Sequence, residues 1–399
     1  MTTTFHAAPS RCDALIVGGR CAGAATAMLL ARKGLSVRVV EKRAYGSDAL
    51  STHALMRGGV MQLHHWCLLD RLRAAGTPPV PSATFAYGEE RITIPTKPVD
   101  GIDALAAPRR TVLDALLADA AGEAGARIEF GAALAGLVRS EGGRVEGAVI
   151  RRPDGTQERV RAGIVIGADG VASGVARSVM ARTIHEGRHA TAVLFAYWKG
   201  ATWGGYEWGY DRGFATGVIP TNDAAACVFV AIPSARFQSL QGTPEESYRH
   251  LIATRAPALR ERLSGAVMDG KVRAFGGKTG HLRQAFGDGW ALVGDAGYFK
   301  DPITAHGITD ALRDAELLAE AVAAGTPQAL AAYQDERDAH SLPFLEATDE
   351  IASLDWSFDR LKALHMTVNA AMKGEVEMLR RRHGTLPAPG PEAGAALPA

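Results

Sequence analysis

The first apolar run of the chain, "DALIV" (Asp13 to Val17), has the length of a buried strand, and Gly18 follows it directly. The next stretch, "AGAATAMLLARKG", sets small and apolar residues at helical spacing and ends at Gly34, a residue suited to the left-handed turn behind a helix. "SVRVVEK" is again a buried-strand pattern, ending in Glu41. Strand, turn, helix and strand at these lengths predict a βαβ unit. "FAYGEERITIP" alternates like a half-buried strand. The segment from Thr191 to Pro233 predicts at least three more strands, parted by Gly and Asn-Asp turns. From Trp290 to Val322 the pattern gives a strand, a Gly294-Asp295 turn, a proline-containing loop and a long helix beginning near His306-Gly307. Beyond Pro327 the periodicity is helical, with a break expected near Pro343. These elements predict an α/β fold.

"IVGGRCAG" (Ile16 to Gly23) is the turn of the first unit, and it matches the glycine turn of a dinucleotide-binding unit in its required context. Gly18 makes the tight turn and Gly23 lets helix and strand pack closely. The helix N-terminus offers unpaired N–H groups and a partial positive charge to a diphosphate. Glu41, about twenty residues on, is placed to accept from a ribose diol, and Lys42 beside it joins the expected cofactor-side set. Where the second glycine usually stands the chain has Arg20. Its guanidinium either reaches the diphosphate by a charge-assisted contact or points to solvent on a wider turn; we take it as a phosphate contact.

Composition narrows the classes. A chain of 399 residues with 47% hydrophobic content can bury a sizeable core. A net charge of +1 argues against a nucleic-acid partner, and no apolar run is long enough for a transmembrane segment. Without a secretion signal pattern, and with Cys12, Cys21, Cys67 and Cys227 scattered, a reduced, cytoplasmic protein is expected, with no metal. Residues 1–12 and the Pro- and Ala-rich 384–399 are expected to be disordered. "GGKTG" (Gly276 to Gly280) lacks the first glycine of a phosphate loop, Val272 standing in its place.

Two later stretches make the assignment specific. "VIGADGVASGVARSV" (Val165 to Val179) puts Asp169-Gly170 behind a strand, and "WALVGDAGYFKDPITAHGITDALRDAELLAEAV" carries Gly294-Asp295, Pro302 and Gly307. With the glycine turn, their order and spacing resemble the FAD-dependent monooxygenase superfamily of the p-hydroxybenzoate hydroxylase fold, which also holds flavin-dependent halogenases and geranylgeranyl-reductase-like enzymes. The resemblance runs from about Asp13 to Val322. It implies FAD as cofactor, with Asp169 in its binding set. Asp295 would lie on ribityl hydroxyls, Gly294 at a close backbone approach, Pro302 against the flavin ring, and the helix from Gly307 aimed at the flavin's pyrimidine edge. Arg110, in "RRTVLDALLADAA", and Arg57, in "STHALMRGGVMQL", match flavin-side positions of the family; the alternative for each is ordinary surface pairing. Two departures stand out. The arginine usual after the Asp-Gly pair is replaced by Ala176, with Arg177 next to it, and the glycine-rich approach to the last helix is replaced by Gly297 to His306.

The implied organisation is discontinuous: an FAD-binding domain from 13–76, 109–179 and 277–325, an interleaved, mainly β substrate domain from 77–108 and 180–276, and a C-terminal helical region over 326–383. That last region is expected to cap the FAD part or to form a homodimer surface. Tyr206, Trp208 and Tyr210 share one face of a strand; they either line a flat, apolar substrate or form the buried face of the sheet. His53 and His306 fall in segments bordering the flavin, where each would bind substrate, move a proton or simply hold a loop.

The expected reaction is oxygenation of a small organic substrate, aromatic or apolar, by O2 through a flavin C4a-hydroperoxide, with electrons from NAD(P)H bound transiently or from a separate flavin reductase. Reduction of isoprenoid double bonds is the alternative. Halogenation is disfavoured, because Ile219-Pro220 lacks the tryptophans that precede it in halogenases and Lys97 is the single lysine between Lys42 and Lys199. A non-catalytic FAD-binding protein is the remaining class.

Overall fold

The computed structural model describes residues 10–384. Most of the segments expected to be disordered lie outside these residues, but residues 10–12 correct that expectation. The first strand is Ser10–Val17, because Ser10, Arg11 and Cys12 continue the parallel ladder to Val160, Arg161 and Ala162. Backbone pairing extends the strand beyond its apolar part.

Helices α1 (Cys21–Arg32), α2 (Arg57–His65), α3 (Arg110–Glu123), α4 (Gly307–Ala324), α5 (Pro327–Ala352) and α6 (Phe358–His383) carry the argument. The parallel sheet runs Arg127–Phe130, Val37–Glu41, Ser10–Val17, Gln157–Gly167, Trp290–Leu292, with antiparallel strands added at its margin. The side chains of α1 explain its place on this sheet. Ala24, Ala25 and Ala27 are fully buried and small enough for α1 to pack against α3 and α4, while Met28 and Leu30 fill the space between. Burial of each of these two larger side chains stabilises by about 1.5–3 kcal/mol.

The second sheet runs Val267–Phe275, Thr191–Lys199, Ala225–Pro233, Phe214–Thr221, Tyr206–Asp211, Ser82–Tyr87, Glu90–Pro95. Its pairs are antiparallel except Tyr206–Asp211 with Ser82–Tyr87, which joins two stretches far apart in sequence. Period-two alternation splits its faces. Val193, Phe195 and Tyr197 belong to the core facing α5 and α6, whereas Leu194, Ala196 and Trp198 face the helices Pro244–Arg255 and Pro257–Arg262.

The break expected at Pro343 does not occur: α5 is one helix with Pro343 inside it. Both flanks are pinned. Arg337 and Ser341 are fully buried before the proline, Ser341 accepts from Arg313 Nη2 at 2.9 Å, and Phe344 and Leu345 are buried after it. That packing offsets the roughly 3 kcal/mol an interior proline costs.

Candidate functional site

The strand ends of the parallel sheet meet α1 in a cradle that side chains would fill. Gly18 has φ +102°, and a Cβ there would sit 2.3 Å from the Ala168 carbonyl oxygen; at Gly23 it would sit 1.8 Å from the oxygen of Gly18. Gly294, φ +59°, lets the turn after the Trp290–Leu292 strand lie against Ala22 of α1 and Ala311 of α4. The first turns of both helices therefore border one space. In α1, Ala24 N–H is bonded to Arg20 O at 2.7 Å, which leaves the earlier N–H groups outside the helical ladder. Cys21 N–H donates to Asp114 Oδ1 at 3.1 Å.

Arg110, buried at the start of α3, donates to the same Asp114 oxygen through Nε at 3.0 Å and Nη2 at 2.9 Å, and Nη2 lies 3.5 Å from Cys21 Sγ. This guanidinium stands at the head of α1 and not on the surface. Asp295 follows Gly294 in a one-turn 3₁₀ helix. Its low-polarity surroundings push its carboxyl pKa up to about 6, against the pull of Arg110 and Lys300. Glu41 is buried and accepts from Gly19 N–H and Arg43 N–H, each at 2.8 Å, while Lys42 beside it is exposed. Pro302 opens a short 3₁₀ turn and is half-buried, and Gly307, the first residue of α4, is exposed with open space around a Cβ built on it. Glycines that tolerate no side chain, two helix N-termini, a carboxyl and a buried arginine fit an elongated dinucleotide with a diphosphate in its middle.

Three residues of the expected set face elsewhere. Arg20 directs Nη2 to Asp48 O at 3.0 Å and Ser47 Oγ at 3.4 Å, so it braces the loop behind Glu41 instead of lying free in solvent. Arg57 donates to Lys97 O at 2.7 Å and Ile102 O at 3.3 Å. Asp169 accepts from Gly174 N–H at 2.6 Å and Val175 N–H at 3.2 Å, capping the short helix Gly174–Ser178.

A second group of polar residues lies in the seam between the two sheets. His53, buried and held at φ +70°, has Nε2 2.5 Å from the hydroxyl of Tyr197 on the second sheet. Burial, with Arg110 and Arg109 beside it, drives the imidazole pKa down to about 3, so His53 is neutral. Burial raises the Tyr197 phenol pKa. Arg109 places its guanidinium carbon 3.6 Å from the centre of the Tyr197 ring and pairs with Asp48 Oδ2 at 3.3 Å; Arg273 pairs with the same oxygen at 2.8 Å. The sequence reading missed Asp48, Arg109, Tyr197 and Arg273. The adjacent pair Arg109-Arg110 at a helix start was the available signal, since neighbouring residues there diverge and one side chain serves each side.

His306 is far from His53 in character. It caps α4 within a buried ionic cluster, with Nε2 3.2 Å from Glu375 Oε2 on α6 and Nδ1 3.6 Å from Asp310 Oδ1. Lys300 pairs with Asp310, and Arg313 with Asp310 and Asp314. Burial, then Lys300 and Arg313, hold the His306 pKa well below its ordinary range. Tyr206, Trp208 and Tyr210 lie in the layer packed under α5 and α6. Tyr206 donates to Ala106 O at 2.6 Å, Trp208 stacks on Phe85, and Tyr210 meets Trp356 edge to face. Of the two readings of that aromatic face, this placement is the buried one.

Comparison with known proteins agrees with the cradle. The chain is 28% identical over 333 residues to digeranylgeranylglycerophospholipid reductase 2 of Methanothermobacter thermautotrophicus, covering 78% of this chain and 77% of the relative. The structure of the flavin-dependent brominase Bmp2 has the same fold at a TM-score of 0.77, with 20% identity over 94% of this chain and all of that one. So does P. aeruginosa PqsL in complex with 2-aminobenzoylacetate, at 0.71 and 21% identity, over 91% of this chain and 100% of that one. The profile of the family described as "FAD binding domain" matches residues 11–348, and the chain belongs to that family of FAD-dependent oxidoreductases.

Proposed function

We propose that the protein is an FAD-dependent monooxygenase that oxidises a small aromatic or apolar substrate with O2 and NAD(P)H, and that the substrate occupies the seam between the two sheets. When bound, FAD supplies the redox chemistry and the activation of O2. The chain's own contribution is binding, orientation, exclusion of water and control of protons. Gly18, Gly23 and Gly294 make room for the cofactor, the head of α1 with Arg110 takes its diphosphate, and Asp295 and Glu41 take sugar hydroxyls. Pro302 and Gly307 border its ring, and Arg20 acts indirectly, bracing the loop that carries Ser47 and Asp48.

The observation that carries the substrate reading is the His53–Tyr197 pair. It spans the seam at 2.5 Å, and neither partner is ionised at neutral pH. Such a pair holds one shared proton beside the buried apolar side chains of Phe195, Ile219 and Cys227. It can orient a substrate oxygen by a hydrogen bond without admitting water.

Reduction of a double bond is a second reading, favoured by the reductase at 28% identity. The two are separated by the product. FAD-loaded protein is given NADPH, labelled O2 and either indole, 2-naphthol or geranylgeraniol. A product heavier by one labelled oxygen supports oxygenation; one heavier by two hydrogens, formed equally well without O2, moves the assignment to the reductase. A protein that takes up no flavin would sink both.

A further inference from the structure

Arg109 and Arg273 come from opposite sides of the seam, one from the start of α3 and the other from the second sheet, and converge on a single carboxylate oxygen of Asp48. Both guanidiniums also lie over the ring of Tyr197, at 3.6 Å and 5.8 Å from its centre. Side-chain exposure is 16% for Arg109, 17% for Asp48 and 33% for Arg273, so the group is shielded yet reachable. Its charge does not balance: two guanidiniums face one carboxylate, and the adjoining His53 is neutral.

The hydrogen bonding does not balance either. Asp48 Oδ1 is spent on Ala49 N–H at 2.8 Å, so Oδ2 alone serves both arginines. Arg109 Nε and His53 Nδ1 are buried without a partner. A buried donor left unmatched is costly, and forked guanidinium donors are matched best by an anion with two oxygens. The diphosphate site proposed above is built from other groups. Arg110 and the head of α1 face it, while Arg109 leaves the same helix start in the other direction, onto the second sheet.

We propose that Arg109 and Arg273 form a receptor for an anionic head group, a carboxylate or a phosphate, on an otherwise apolar substrate, with Asp48 holding the two guanidiniums ready. The apolar body then lies toward the Tyr197 ring, beside which Cys227 and Ile219 follow in register across the sheet. This rests on the seam being the substrate site, as proposed above, but not on which reaction follows.

The test is equilibrium binding to the FAD-loaded full chain without turnover, by calorimetry and by perturbation of the flavin absorbance. The probes are 2-naphthoate, 2-naphthyl phosphate and the neutral 2-naphthamide. At least one anion is expected to bind about tenfold or more tighter than the amide, as a charge-assisted pair implies. The preferred anion identifies the carboxylate or phosphate source. Arg273→Gln, on a partly exposed strand, should bring that ratio to within about twofold of unity while thermal unfolding is unchanged. Asp48→Asn should raise the ratio, a gain that misfolding does not produce. Anions binding no tighter than the amide, or a ratio unmoved in Arg273→Gln, overturns the receptor. Because no product is measured, the receptor can stand when oxygenation fails, and oxygenation can stand when the receptor fails.

Discussion

A methyl group at position 23 would lie 1.8 Å from the backbone oxygen of Gly18, an atom with no rotamer to give. Gly23→Ala should therefore cost about 3 kcal/mol or more and abolish flavin uptake, read as a lower unfolding midpoint and loss of the flavin band after purification. Gly307→Ala is the contrasting case. Its Cβ meets nothing within 4 Å, and alanine is the better helix former, so unfolding should shift by less than about 1 kcal/mol. The added methyl should instead weaken FAD affinity, measured by fluorescence titration; unchanged affinity would remove the head of α4 from the cofactor's surroundings. Asp295 tests the same cradle through charge. With its pKa near 6, the folded chain binds a proton that the unfolded chain has already lost between about pH 4 and 6, so this group's contribution to stability falls as pH rises through that window. Asp295→Asn should stabilise the apoprotein at pH 7.5, by on the order of 1 kcal/mol given its partial exposure, and weaken FAD binding. Gly18 and Gly23 were legible in sequence because their role is set by backbone spacing alone. The directions of Arg20 and Arg57 were not, because a long side chain is aimed by neighbours distant in the chain, such as Asp48 and Lys97; Asp169 is turned by a local partner, the N–H of Gly174 five residues on.

At the scale of elements, α6 does more than cover the aromatic layer. It sends Glu375 into the cluster under α4, where it faces His306 at 3.2 Å and Arg313 at 3.7 Å, and a Cβ on Gly58 of α2 would already touch its carboxylate at 3.0 Å. Removing one partner of a buried charge group leaves the others uncompensated, a loss of about 3–5 kcal/mol. Glu375→Ala should lower the unfolding free energy by that much, read as a lower urea midpoint at unchanged slope, and Glu375→Gln, which keeps the shape and a hydrogen-bonding group, by clearly less. Equal losses would mean that packing, not charge, is what Glu375 contributes. The helical periodicity beyond Pro327 was legible, since α5 and α6 each follow it. What it could not contain was the buried Arg337–Ser341 anchoring that carries α5 through Pro343, or the insertion of Glu375, a residue whose type alone suggests a solvated face.

The whole molecule combines these local decisions. The parallel core could be anticipated from strand–helix alternation, but the seam could not. It brings together stretches far apart in sequence: the Ser82–Tyr87 and Tyr206–Asp211 strands pair in parallel within the second sheet, and Arg273 of that sheet reaches Asp48 in the loop after Glu41. One consequence of so much polar chemistry under cover is acid sensitivity. His53, His281 and His365 have pKa values lowered by burial to about 3, 4 and 4, and burial holds His306 well below its ordinary range as well. In the unfolded chain each titrates near 6.5. Between pH 6.5 and 4 the unfolded chain therefore binds more protons than the folded one, so these histidines make stability fall as pH falls through that window. Asp295 and Asp301, both raised to about 6 by burial, act in the opposite sense below pH 6. Each of the five groups given a value here is worth on the order of 1–2 kcal/mol at pH 5, and the histidines, with His306 acting in the same sense, outweigh the two carboxyls. The apoprotein should thus lose several kcal/mol of unfolding free energy between pH 7 and pH 5, measured by urea titration at each pH. His365→Phe, which removes one of the four without touching the seam or the cradle, should flatten that slope. A stability that is level or rising on acidification would mean that the histidines accept protons in the folded state, and that the layer under α5 and α6 is wetter than its packing implies.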